Sequence, residues 1–210
     1  MDRHAAIQQK ILSTFAISLI VASIGAILGQ FVPDFLFLPL AIFELVILIV
    51  ALFFRKNKGK IGYPFLYFFT FLTGVTTFPV LAHYTSKLGA ALVGGAFLTT
   101  AIVFAVLALY GTVTKKDLSF LGGILFSGLI ALIILSILNI FFPLGSAALW
   151  GITILGIMIF SGYVIYDFNR IKRLSLTEED VPLMALSIYL DFLNLFLKIL
   201  QLFGLFSSKD

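Results

Sequence analysis

The chain has 210 residues, of which 61% are hydrophobic and only 11% charged, with a mean hydropathy of +1.15. Such a composition lies far outside that of soluble domains and leaves room for about six to eight membrane-length helices and no separate soluble domain. The net charge of +4 does not mark a nucleic-acid partner, because Lys and Arg fall between apolar runs rather than on one basic face, and the absence of cysteine excludes disulfides and thiolate chemistry.

After a polar head, residues 1–10, the first apolar run covers 11–28. It is too long for the core of a signal peptide and reads as a retained span. Its Gly25 and Gly29 form a small-xxx-small pattern that lets a second helix approach closely. A turn at Phe31 to Pro33 leads into a second span, 35–54, which contains Glu44 and ends in the basic run Arg55-Lys56-Asn57-Lys58-Gly59-Lys60. Glu44 and Arg55 share a helix face but stand about 16 Å apart along the axis, so they do not pair with each other within that helix. The third span, 61–82, is rich in Phe and Thr, and Pro79 is expected to end or kink it.

A fourth span, 88–110, carries Gly94-Gly95, and a fifth, 118–140, carries Gly122-Gly123 and Gly128, all expected at close helix contacts or bends. The sixth span, 147–171, ends in Tyr166-Asp167-Phe168-Asn169-Arg170. The connector that follows includes Thr177-Glu178-Glu179-Asp180, with the spacing of a capping box, and Pro182 sits in the first turns of the last helix.

That last span, 181–203, carries Ser187, Asp191, Asn194, Lys198 and Gln201 within about a quarter of its circumference. Hydrocarbon offers no partner for such groups, so this stripe faces protein or a water-filled path. Seven spans put the termini on opposite sides. Eleven of the fourteen Lys and Arg residues fall on the side of the N-terminal head, which predicts a cytoplasmic N-terminus and an outward C-terminus.

This topology puts Asp167 near the cytoplasmic face and Asp191 about 12–15 Å in from it. Level helix ends would leave the two carboxyls about one to two turns apart, so pairing requires a tilt, a stagger or an inward shift. If they meet, two carboxylates away from water repel, and the pair should hold one shared proton. The oxygens of Asp167, Asp191 and Asn194 also suit a hard cation such as calcium, held transiently. The plainer reading is a set of buried polar contacts locking helices together. His4 and His83 lie in end regions and read as bystanders.

Ile165-Tyr166-Asp167, the core Ala185 to Phe196 of the last span, and Phe43-Glu44 with Arg55 closely resemble the transmembrane Bax inhibitor motif family over the whole chain, and within it the bacterial calcium-leak proteins. The resemblance implies an all-α membrane protein with seven transmembrane helices, two three-helix layers around a central C-terminal helix, as a single domain. It implies a pH-sensitive calcium leak channel in a bacterial cell membrane, with Asp167 and Asp191 as the pH sensor, Arg55 latching the second span to Asp167, and Glu44 along the ion pathway. No cofactor is expected, calcium being the transported ion. The expected partners are calcium, protons and the lipid bilayer, with none indicated among proteins.

Two other classes remain. An intramembrane aspartyl protease also uses two aspartates on neighbouring spans, but its second aspartate follows a glycine-rich turn, whereas Asp191 follows Ile188-Tyr189-Leu190. We expect no enzyme activity on that ground. A non-conducting membrane interaction protein would need no buried ionisable pair at all.

Overall fold

The computed structural model describes residues 3–56 and 61–207, excepting the side chains of residues 3, 52–56 and 140. Among the described residues there are seven α-helices and no strand: α1 (Arg3–Gly29), α2 (Asp34–Lys56), α3 (Tyr63–Leu88), α4 (Ala90–Val113), α5 (Leu121–Phe141), α6 (Ser146–Arg173) and α7 (Val181–Ser207). All seven are long and apolar enough to cross a membrane. A helix satisfies every interior backbone group within itself, which is what a hydrocarbon surrounding demands. Large apolar side chains such as Phe35, Leu98, Leu109, Ile124 and Phe141 stay exposed, as a lipid-facing surface requires and a water-facing one rarely tolerates.

The chain forms two compact units, each combining helices from one half of the sequence with part of α7: Met1–His83 with Ser175–Tyr189, and Tyr84–Leu174 with Leu190–Asp210. Of the seven helices α7 has the largest buried share, while α2 and α5 have the smallest.

In the first unit α1 packs on α3 through glycine. A Cβ on Gly25 would collide with the Phe71 carbonyl, one on Gly74 with the Ala22 carbonyl, and one on Gly29 would stand 2.6 Å from the Cβ of Phe78. The small-xxx-small pattern of α1 therefore serves close backbone approach. Ile7, Ile11, Leu66, Phe69, Leu72 and Val75 fill the core. Helix α3 continues through Pro79 to Leu88, so this proline does not end it. The carbonyl it frees, that of Val75, lies against Gly29, and protein contacts of this kind let a membrane helix tolerate proline. Thr177 and Asp180 close the expected capping box around a short 3-10 helix, Glu178–Asp180, that leads into α7, and Lys10 of α1 pairs with Glu178.

In the second unit α6 packs against both α4 and α5. Gly111 of α4 lies against the Ile165 carbonyl, Gly122 of α5 against the Tyr166 hydroxyl, and Gly128 against Ile159. Gly94 and Gly123 face open space instead. Neighbouring residues on a helix point about 100° apart, so only one glycine of a pair can meet a given helix. Edge-to-face rings, Phe104 with Phe168 and Phe192, and Phe97 with Phe192 and Phe196, join α4 to α6 and α7.

Candidate functional site

On α6, Val164, Asp167, Phe168 and Ile171 are buried at helical spacing. On α7, Asp191, Phe192 and Leu195 continue the buried face within the second unit. Asp167 is 4% exposed and Asp191 7%, so both carboxyls are withdrawn from solvent. Each lies within reach of the other, the Asp167 carboxyl being the charged neighbour that acts on Asp191. Asp167 lies six residues before the end of α6 and Asp191 ten residues after the start of α7, an offset of about 6 Å at 1.5 Å per residue. The expected mismatch is thus about one turn, which a modest tilt absorbs.

Two carboxyl groups hydrogen-bond to each other only through a proton that one of them carries. Oδ2 of Asp191 is buried and no N–H or hydroxyl of the described residues reaches it, which leaves it free to accept a proton shared with Asp167. Tyr163, one turn before Asp167 on α6, lies in the electrostatic field of both carboxyls. Its i−4 position relative to Asp167 is the one mark it carries in the sequence.

Asn194 is turned away from this chemistry: its Nδ2 donates to the Leu190 carbonyl of its own helix at 2.7 Å. Among the described residues no group of three or more His, Asp or Glu side chains could hold a metal ion. Calcium prefers roughly six to eight oxygens, so two carboxyls suit a passing ion rather than a resident one.

Glu44 belongs to the first unit. It is half-buried on α2 and accepts a hydrogen bond from Thr76 Oγ1 at 2.5 Å. Along α3, Thr73 donates to the Thr70 carbonyl at 2.9 Å and meets the Tyr189 hydroxyl at 2.5 Å. With Thr73's proton committed to Thr70, Tyr189 supplies the proton of the second bond. Thr70, Thr73 and Tyr189 are all but fully buried. Arg55 falls in the last turn of α2, and its side chain lies outside the described residues, as does the contact expected of it.

The end of α6 holds the α4–α5 connection. The buried Asn169 donates to the carbonyls of Gly111 and Lys116, at 3.3 and 3.2 Å, and accepts from the Leu118 N–H at 3.3 Å. Lys172 and Arg173 donate to the carbonyls of Thr114 and Lys115. The exposed Asp117 carboxylate is held below the usual carboxylate range, first by hydrogen bonds from the side chain and backbone of Ser119 and then by the charge of Arg173.

These features define an all-helical membrane protein whose buried acidic groups sit on its last two helices. The chain belongs to the Bax inhibitor family: the family model described as inhibitor of apoptosis-promoting Bax1 matches residues 4–208. An uncharacterized protein of Helicobacter pylori strain 26695 is 37% identical over 207 residues, covering 93% of this chain and 85% of that one. The inner membrane protein YbhL of Escherichia coli K12 is 34% identical over 176 residues, 80% of this chain and 73% of its own. An uncharacterized membrane protein of Streptococcus pyogenes serotype M1 is 33% identical over 170 residues, 78% and 72% of the two chains.

Proposed function

We propose that this Bax inhibitor family protein is a pH-sensitive calcium leak channel of a bacterial cell membrane, with its N-terminus cytoplasmic. The observation that carries the reading is the burial of the Asp167 and Asp191 carboxyls beside each other, with an Asp191 oxygen that no N–H or hydroxyl of the described residues reaches. Buried ionisable groups in membrane spans are costly and mark ion or proton pathways by default. With one shared proton the pair carries a single negative charge, which attracts a cation and would hold Arg55 as a latch. A second proton removes that charge and loosens the latch. Glu44 supplies a further acidic oxygen for the ion path from the first unit. In this reading the pair holds protons and passes cations rather than hydrolysing a peptide, and calcium and protons are the partners.

The test is calcium efflux from liposomes containing the purified protein, measured from about pH 5 to about pH 8, either side of neutrality. The expected result is flux above empty liposomes that changes on the order of tenfold across this range, and Asp191→Asn flattens the change. Absence of flux at every pH sinks the reading. Cleavage of an embedded peptide that requires both aspartates would replace it with a protease.

A further inference from the structure

Lys198 is a charged side chain that the proton-sharing site does not use. It stands seven residues after Asp191 on α7, about 10 Å farther along the axis and within about 20° of the same face. It is half-buried, and its place is built for it. The Cδ, Cε and Cγ atoms lie 2.8, 2.9 and 3.0 Å from where a Cβ on Gly156 of α6 would stand, so any other residue at 156 would have to displace the lysine stem. Nζ donates to Oε1 of Gln201 at 3.2 Å, which turns the ammonium toward the C-terminal end of α7, away from Asp191. Gln201 is a neutral amide and leaves the charge uncancelled.

The geometry points to Lys198 as the charge barrier of the ion path, a fixed positive group that a cation moving along the polar face of α7 must pass between the C-terminal end of the helix and Asp191. This rests on the leak reading above and deepens it by naming what limits the rate and discriminates by valence. The barrier a fixed potential raises is proportional to the charge of the ion that crosses it, so the factor for a divalent cation is the square of that for a monovalent one. A protein built this way leaks calcium slowly, because the group nearest the outer approach repels it twice as strongly as potassium.

Lys198→Met keeps the length of the stem on Gly156 and removes the charge, and Lys198→Arg keeps the charge. In liposomes at fixed pH, Lys198→Met should raise potassium flux about threefold and calcium flux about tenfold, the squared ratio, and Lys198→Arg should leave both near the wild-type rates. Gly156→Ala, which displaces the stem while keeping the ammonium, should raise calcium flux by a smaller factor. A conducting wild type whose calcium flux is unmoved by Lys198→Met overturns the barrier and leaves the leak reading standing. Equal factors for potassium and calcium overturn it too, because they mark a widened gap rather than a lost charge. A wild type that conducts neither ion overturns both.

Discussion

Two buried polar clusters, one in each unit, treat their polar groups in opposite ways. In the first, Thr70, Thr73 and Tyr189 form a chain in which each hydroxyl has its partner, and Glu44 is met by Thr76. In the second, Asp191 keeps a buried oxygen that no N–H or hydroxyl of the described residues reaches, beside the Asp167 carboxyl, and Lys198 donates to a neutral amide. A satisfied network fixes helices because breaking it strands groups in a medium that offers no replacement. An unsatisfied carboxyl at low dielectric stabilises nothing by itself. The first arrangement is what structure requires, and the second is what a site that exchanges protons or ions requires.

This contrast predicts how stability responds to deletion. The largest loss belongs to Asn169, the satisfied residue of the second unit. Asn169→Ala strands the Leu118 N–H and the Gly111 carbonyl beside the α4–α5 connection and should cost about 3 kcal/mol, near the top of the range for buried groups left without partners. Thr73→Val, nearly isosteric, leaves the buried Tyr189 hydroxyl without its acceptor and should cost about 2 kcal/mol. Both losses are read as lowered thermal midpoints in detergent. A Thr73→Val protein as stable as the wild type would mean that the first unit's network is as dispensable as the contrast says the second unit's acids are.

Much of this was legible in the sequence, and the parts that were not share a cause. Apolar runs gave the seven spans because length and hydropathy are local properties, and Gly25 and Gly29 announced a close contact because their spacing repeats the helix period. Asp167 and Asp191 stood out because a carboxylate is rare in such a span and costly to bury there. The threonines of α3 carried no such mark. A hydroxyl can return its hydrogen bond to its own helix, as Thr100 and Thr153 do here, so only the long-range contact with Tyr189 separates Thr73 from them. Asn169 was hidden for a related reason: its partners are backbone groups of a connection more than fifty residues away. Asn194 showed the converse, since its place on the polar stripe suggested an ion ligand and its amide instead binds its own helix.

A smaller effect comes from the unsatisfied side. Asp191→Asn replaces a desolvated acid by a neutral amide of the same shape, so stability at neutral pH should stay within about 0.5 kcal/mol of the wild type or rise. The same substitution is the one expected to flatten the pH dependence of flux. A loss of about 2 kcal/mol or more on Asp191→Asn, the scale of a broken satisfied network, would place Asp191 with the structural residues and dissolve the contrast.

The smallest effect separates two responses to acid that a pH titration of the whole protein would mix. Asp117 lies outside the spans, and Ser119 holds its carboxyl below the usual range. A group whose pKa is depressed by folding contributes its stability above the unfolded value, near about 4, and loses it as pH falls through the folded value. The wild type should therefore show a slight decline in thermal midpoint below about pH 4, and Ser119→Ala should lessen it. Because Ser119 touches neither carboxyl of the buried pair, the same variant should leave the pH profile of calcium flux where it is. If Ser119→Ala instead moves the midpoint of that profile, the proton that governs conduction binds at the exposed α4–α5 connection. The buried acids would then be no more than a costly packing contact.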